Sequence, residues 1–153
     1  MNDEQLVRKG LEDLKALAPA GYALAFQIEF TTPTFLFQTY PKDWISQYSE
    51  KGLVISDPTV HWCFENEGFV RWADLEASDT AGVLEQAKEH GLTHGLTCSV
   101  NIDLARSFAS FARNDREFTD SEANVLLEAV KELHIQTAKI KTGSPETTLA
   151  LQR

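Results

Sequence analysis

A cluster of aromatic residues and one aspartate is the most chemically informative feature of this sequence. Large rings with a polar tip bury apolar area and keep a hydrogen-bonding group available, and an ionised carboxylate accepts hydrogen bonds. This combination suits a small-molecule ligand that has an apolar body and a few polar groups. The cluster comprises Tyr40, Trp44, Tyr48, Asp57, Pro58 and Trp72.

The spacing of Trp44 and Tyr48 places both rings on one face of a predicted helix, because residues four apart are neighbours on a helix surface. The indole N–H can only donate a hydrogen bond, whereas a phenol can donate or accept. The pair could therefore line an apolar slot and hold a carbonyl group, or it could belong to an ordinary aromatic core. The same two interpretations are open for Trp72.

Two polar side chains, Asp57 and Ser110, have competing interpretations, and Tyr40 has one. Asp57 precedes Pro58, an arrangement typical of a helix N-cap followed by the first helical residue. Alternatively, its carboxylate points into a cavity and requires a donor such as a ligand amide N–H. Pro41 holds Tyr40 extended at a strand end, where its side chain could cross a cavity. The Ser110 hydroxyl could bond either to backbone or to a ligand.

Other chemistries have little support in the sequence. It contains no GxSxG, P-loop or GxGxxG motif, and no evident nucleophile–base pair, so we do not expect an enzyme. His61, Cys63, His90, His94 and Cys98 lack the spacing of structural zinc sites, so neither a metal nor a cofactor is expected. The two cysteines are predicted to be buried free thiols.

Length and charge restrict the class of protein further. The chain has 153 residues and a net charge of −9, which predicts one acidic domain. Such a surface repels phosphate backbones, so the chain alone should bind nucleic acid poorly. The polar N-terminus and the lack of a long apolar run predict a cytoplasmic protein that has no membrane partner.

Hydrophobic periodicity predicts alternating helices and strands. Helices are expected at 3–18, from Asp43 as cap to about 51, from Asp57-Pro58 onward and at 78–90. A capping box, Thr119 to Glu122, should open a last helix that is buried through Leu126, Leu127, Val130 and Leu133. Strands are expected at 22–30, 34–39, 68–72, 95–101 and 104–112.

These elements predict an α+β fold. Short hairpins favour an antiparallel sheet of about five strands, and the amphipathic helices should cover both of its faces as an α/β/α sandwich. The compact domain is expected over residues 1–140. The composition of 141–153 predicts a linker or tail.

The motifs YPKDWISQY, DP, FVRW and EHGLTHGLTCSV together resemble the autoinducer-binding domain of LuxR-type quorum-sensing regulators. Each motif alone is weak, but the combination is specific, and the resemblance runs from about residue 6 to 135. It implies a GAF/PAS-like fold that binds an N-acyl-homoserine lactone between the sheet and a helical layer.

The resemblance also implies roles for individual residues. Trp44 would donate to the lactone carbonyl, and Asp57 would accept from the amide N–H. Tyr40 and Tyr48 would contact the amide carbonyl or line the acyl channel. Trp72 would form a wall over the lactone ring, and Ser110 would place a hydroxyl near the acyl amide.

Structural roles are expected for Pro58, which should start a helix, and for Gly95, which should permit a close backbone turn. Five apolar residues are candidate contacts for the acyl tail: Leu24, Phe26, Phe35, Phe37 and Cys98.

The resemblance further implies a homodimer, with DNA contacted only through a C-terminal helix-turn-helix domain that this chain lacks. The chain would then be an excised sensor domain, or a stand-alone protein that binds signal or blocks full-length regulators. Two other functions stay open: a ligand-free dimerisation module with a filled core, and a sensor of a non-lactone or aryl-lactone ligand. An open rather than a packed cavity would favour a sensor.

Overall fold

The computed structural model describes residues 1–140, and the predicted linker or tail at 141–153 lies outside the described residues. Within residues 1–140 the chain forms five α-helices, five β-strands and two short 3-10 helices. The helices are α1 (Asp3–Leu17), α2 (Lys42–Glu50), α3 (Pro58–Glu65), α4 (Val83–Lys88) and α5 (Asp120–Ala138). The strands are β1 (Gly21–Glu29), β2 (Thr32–Gln38), β3 (Gly68–Arg71), β4 (His94–Ile102) and β5 (Ala105–Arg113), and the 3-10 helices are Leu53–Ser56 and Trp72–Ser78.

The strands form a single antiparallel sheet in the order β2-β1-β5-β4-β3. Strands β4 and β5 are joined by Asp103 and Leu104, both in the left-handed region with φ of 54° and 66°, which matches the twist of a two-residue hairpin. Strand β2 begins earlier than the sequence predicts and includes Pro33, which pairs with Ile28. Proline is tolerated there because β2 is an edge strand.

One face of the sheet carries the filled hydrophobic core. Tyr22, Leu24 and Phe26 of β1 alternate toward this face, where they join Phe35 and Phe37 of β2. Helix α1 contributes Val7, Leu11 and Leu14, and α5 contributes Leu126, Val130 and Leu133. The predicted stripe of the last helix is confirmed except at Leu127, which is only partly buried.

The opposite face is covered by α2, α3, α4 and the two 3-10 helices. A second cluster there includes Trp44, Leu53, Trp72, Leu84 and Leu92. Helices therefore lie on both faces of the sheet, and the predicted α+β fold is confirmed.

The helix starts show where local prediction succeeded. The Thr119 hydroxyl accepts a hydrogen bond from the backbone N–H of Glu122, whose side chain accepts from that of Thr119, so the predicted capping box is present. Asp57 caps α3, as one of its two interpretations required. Asp43 does not cap α2: Pro41 occupies the N-cap, and Asp43 lies inside the first turn, where its carboxylate accepts from the N–H of Trp44 at 3.0 Å.

The segment between β3 and β4 differs most from prediction. Trp72 does not end a strand but begins a 3-10 helix. The predicted helix at 78–90 is shorter in the structure and spans only Val83–Lys88. Gly82 has a φ of 67°, and the Asp79 carboxylate accepts from the N–H groups of Val83 and Leu84 at 2.9 and 2.8 Å. These contacts start α4 at Val83. No helix in residues 1–140 is long and apolar enough to cross a membrane.

Candidate ligand-binding site

A cavity of about 560 Å³ lies between the sheet and the layer formed by α2, α3 and α4. It is bordered by the six residues predicted to contact the polar part of a ligand or its lactone ring: Tyr40, Trp44, Tyr48, Asp57, Trp72 and Ser110. Pro58 is buried as the first residue of α3 and does not line the cavity. Residues from separate helices and strands thus converge on one space.

Two alanines of β1 make room for the cavity. Ala23 lies between Gln38 of β2 and Ser110 of β5, and Ala25 lies between Leu36 and Phe108 in the next row. The floor therefore changes from a polar row to an apolar row along the strands. Helix α4 contributes Val83, Leu84 and Ala87 to the cavity wall.

Asp57 caps α3 and also borders the cavity. Its Oδ1 accepts from the backbone N–H and the hydroxyl of Thr59 at 2.8 and 2.7 Å, which caps α3. Its Oδ2 accepts from the Tyr48 phenol at 2.7 Å. A carboxylate oxygen can accept two hydrogen bonds, so Oδ2 can take one more donor from the cavity. Burial, reinforced by the charge of Asp57, raises the pKa of Tyr48, so this phenol stays protonated and donates.

Tyr40 presents a buried donor to the same space. Its phenol oxygen has no hydrogen-bond partner among the described residues, an expensive condition for a buried polar group. Burial raises the pKa of Tyr40, and the negative charge of Asp57 adds to the effect. The hydroxyl is therefore protonated and available to an acceptor.

Trp44 presents a second donor. Trp44 borders the cavity, and its ring packs against Tyr48 and His90 with centroids 5.7 and 5.4 Å apart. His90 is bound to Asp43 at 3.0 Å and to Gln47 at 2.9 Å. The Trp44 ring is thus fixed in orientation by Tyr48 on α2 and by His90, which follows α4.

Trp72 and Ser110 are linked through Thr97. The Trp72 indole N–H donates to the Thr97 hydroxyl at 2.9 Å, and that hydroxyl lies 2.7 Å from the Ser110 hydroxyl. Ser110 therefore bonds to a side chain rather than to the backbone. Gly95 does not form a turn; it lies within β4, where a Cβ atom would overlap the Trp72 ring.

The predicted contacts for an acyl tail are mostly wrong. Phe26, Phe35, Phe37 and Cys98 belong to the core on the α1 and α5 side, and Leu24 belongs to that core although it also borders the cavity. Large side chains fill the face on which they lie, so the space is left on the face with small ones. The alternation of Ala23 and Ala25 with large residues was the signal that could have shown this.

Both cysteines are buried and free, as predicted. Burial raises the pKa of Cys98 to about 12 and also raises that of Cys63, which borders the cavity. Neither thiol therefore ionises near neutral pH. Within residues 1–140, no group of three or more His, Cys, Asp or Glu side chains is placed to hold a metal ion.

Comparison with known proteins identifies the family. Residues 22–136 match the family described as "Autoinducer binding domain". The chain belongs to this family. The match covers every site residue described above, and autoinducer-binding domains of LuxR-type regulators are ligand sensors rather than enzymes.

The regulatory protein SdiA of Escherichia coli (strain K12) is a relative of this autoinducer-binding domain, 33% identical over 88 residues, which are 56% of this chain and 37% of SdiA. The chain therefore spans little more than a third of that relative. A structure of SdiA in complex with octanoyl-rac-glycerol has a TM-score of 0.70 at 22% identity, over 93% of this chain and 62% of that one. The LuxR family transcription factor CepR2 from Burkholderia cenocepacia has a TM-score of 0.58 at 14% identity, over 90% and 95% of the two chains. These two likenesses show a shared fold.

Proposed function

We propose that this autoinducer-binding domain senses an N-acyl-homoserine lactone, held in the cavity between the sheet and α2 to α4. One observation carries the proposal. The phenol of Tyr40 lacks a hydrogen-bond partner among residues 1–140, and it borders the same cavity as the Trp44 side chain and an acceptor position on Asp57. An acyl-homoserine lactone offers the complementary set, because it has carbonyl oxygens to accept and one amide N–H to donate.

The proposed roles follow from the hydrogen-bond donors and acceptors that face the cavity. The amide N–H donates to Asp57 Oδ2, and the Trp44 indole and the Tyr40 phenol donate to carbonyl oxygens of the ligand. Tyr48 holds Asp57 in place through its 2.7 Å hydrogen bond. Trp72, fixed by Thr97, provides a flat wall for the lactone ring. The acyl tail extends over Ala25, Leu36 and Phe108.

The likeness to SdiA in complex with octanoyl-rac-glycerol supports an acyl ligand and suggests a second ligand class. A monoacylglycerol has no amide N–H, but its hydroxyl could donate to Asp57. A filled dimerisation module is disfavoured, because the face lined by Ala23 and Ala25 is open rather than packed.

The remaining partners are also proposals. By analogy with the transcription factors that share its fold, the domain would form a homodimer and would act on DNA through a separate helix-turn-helix domain. No cofactor is required by this function, because the ligand itself is the signal.

A thermal-melt screen tests the proposal. The purified chain is melted with lactones of increasing acyl length, with aryl-homoserine lactones and with monoacylglycerols. A ligand that binds only the folded state raises the Tm by mass action. A rise with acyl lactones that depends on chain length is expected, whereas a rise only with monoacylglycerols would assign the second class, and a flat panel would refute both.

Asp57→Asn provides the residue-level test. Asparagine is a good N-cap, so α3 should persist, while loss of the charged acceptor should weaken lactone binding by about 1–3 kcal/mol. Asp13→Asn on α1, paired with Lys9 on the solvent side, is the matched control and should leave binding unchanged. Equal affinities of wild type and Asp57→Asn in isothermal titration would remove Asp57 from the site.

A further inference from the structure

Strand β1 contains one extra residue beside β5. Ala25 pairs with Phe108 and Ile28 pairs with Arg106, so three steps on β1 face two on β5. The extra residue is Gln27, whose φ is 55°. A non-glycine residue in the left-handed region costs free energy and persists only where its surroundings enforce it.

The surroundings of Gln27 bind its backbone N–H, its backbone carbonyl and its side-chain NH2 group. Its backbone N–H donates to the Ser107 hydroxyl at 3.1 Å, and its carbonyl accepts from the Thr34 hydroxyl at 2.9 Å. Its side-chain amide donates to the carbonyl of His134 at 2.8 Å and to the hydroxyl of Thr137 at 3.1 Å, both on α5. Side chains from β2, β5 and α5 thus hold the bulge.

Because of the bulge, residues 27 and 28 lie on the opposite faces of the sheet from those that regular alternation would give them. Ala23 and Ala25 line the cavity, so regular alternation would send residue 27 into the cavity and residue 28 toward α5. Instead the Gln27 side chain reaches α5, and Ile28 borders the cavity next to the apolar row. Ile28 is absent from the core that α1 and α5 form with the sheet.

We propose that Gln27 is a positioning residue for ligand specificity: by binding α5 it places Ile28 at the apolar end of the cavity, which limits the length of acyl tail accepted. The inference rests on the proposed function. Gln27 itself does not touch the ligand, and it acts through the position of Ile28.

The test measures Kd for lactones with short (C6) and long (C12) tails by isothermal titration. Ile28→Ala removes the limiting side chain. The ratio of the short-chain Kd to the long-chain Kd should rise about tenfold, the factor given by roughly two more buried methylene groups. Val100→Ala, which trims a buried residue of the α1 and α5 core, is the matched control and should keep the wild-type ratio.

Two substitutions at position 27 test whether the contacts of Gln27 with α5 place Ile28 at the cavity. Gln27→Ala loses the contacts with α5 and disfavours the left-handed backbone, so β1 should return to regular alternation, and the ratio should rise as in Ile28→Ala. Gln27→Gly loses the same contacts with α5, so its ratio should rise in the same way. A wild-type ratio in this variant, whose backbone adopts a φ of 55° without strain, would show that the contacts with α5 do not place Ile28 and would overturn the inference. The double variant Gln27→Ala/Ile28→Ala should show no further rise, because Ile28 has already left the cavity.

The outcomes are distinct. A wild-type ratio in a folded Gln27→Ala, or a further additive rise in the double variant, overturns the inference while the proposed function stands. Absence of lactone binding to the wild type overturns both. Should Gln27→Ala not fold, Gln27→Gly decides in its place: it removes the same contacts with α5 without backbone strain, and an unchanged ratio there overturns the inference.

Discussion

Tyr40 is the residue whose environment most directly indicates a ligand. Its buried phenol has no hydrogen-bond partner among residues 1–140, which destabilises the protein, and it lies at a cavity that Asp57 also borders. A cost of this kind at a cavity is typical of a group whose partner is a ligand. Stability and binding should therefore respond in opposite directions when the hydroxyl is removed.

Tyr40→Phe tests this opposition. Without ligand, the free energy of unfolding should stay equal to wild type or increase by up to about 1 kcal/mol, because an unsatisfied polar group is removed. Lactone binding should weaken by about 1 kcal/mol, the scale of one hydrogen bond. Urea unfolding and titration calorimetry measure the two quantities. A variant that is less stable but binds normally would contradict a ligand-facing hydroxyl.

Gly95 shows that a residue without a side chain can determine the shape of a site. The Trp72 ring occupies the position where its Cβ would lie, and the same ring donates to Thr97. Any side chain at position 95 would have to displace the tryptophan.

Gly95→Ala should therefore lower the free energy of unfolding by about 1–3 kcal/mol, the usual cost of overpacking, and should weaken ligand binding. Tryptophan fluorescence and urea unfolding report the change. Gly10→Ala is the control, because a methyl there meets the flexible end of Leu133 at 2.8 Å, and it should cost less. Equal effects of both substitutions would contradict the special role of Gly95.

Among the elements, α5 is joined to the sheet by a buried polar cluster as well as by apolar packing. His134 accepts from the Ser107 hydroxyl through Nδ1 at 2.6 Å and donates through Nε2 to the carbonyl of Ile102 at 3.2 Å. This arrangement fits a neutral imidazole. Burial lowers the pKa of His134 from the ordinary value of 6.5, against smaller opposing effects of the Ile102 carbonyl and Asp103.

The lowered pKa of His134 predicts a pH dependence of stability. Above about pH 6.5 the residue is neutral in both states and contributes no difference. As the pH falls below that value, the unfolded chain binds a proton that the folded chain does not, so the free energy of unfolding decreases until the folded pKa is reached.

Urea unfolding at pH 7.5, 6.5 and 5.5 isolates this contribution when wild type is compared with His134→Gln. The wild type should lose more stability on acidification, by at most about 1.4 kcal/mol per pH unit for one proton. The two proteins differ only at position 134, so the difference in slope reports His134. Parallel curves would contradict the inferred direction of its pKa shift.

Helix α3 illustrates how an element was predicted locally but positioned by a distant residue. Asp57-Pro58 marked its start correctly, as caps and proline act within one turn. Its C-terminal end is held by Arg106 of β5, which donates to the carbonyls of Cys63 and Asn66 at 2.8 and 3.1 Å. That contact spans about forty positions, and no local pattern indicated it.

For the whole molecule, net charge and the binding cavity are separate properties. A net charge of −9 disfavours binding to phosphate backbones, whereas the cavity is lined mainly by apolar side chains. Under the proposed function, the cavity holds a neutral ligand and DNA is contacted by a separate domain.

The isolated chain should accordingly show no binding to duplex DNA at about 0.15 M salt, with or without a lactone. Fluorescence anisotropy of a labelled duplex measures this, with a basic DNA-binding protein as positive control. A salt-dependent rise in anisotropy would contradict the prediction.

The sequence by itself determined most of the helices and strands, the five-stranded antiparallel sheet and six of the residues that border the cavity. Period-two alternation, capping boxes and glycines that end helices act over a few residues, so they can be recognised in short segments of sequence. The motifs around Trp44 and Asp57 likewise indicated the family, which the match over residues 22–136 confirmed.

Only the tertiary structure decided which face of the sheet is filled and which is open. Alternation defines two faces, but the space left on each depends on the summed volumes of layers that are distant in sequence. The bulge at Gln27 is held by residues 80 to 110 positions away, and the overlap at Gly95 depends on Trp72. Such long-range contacts decided that Ile28, rather than the buried phenylalanines, borders the cavity.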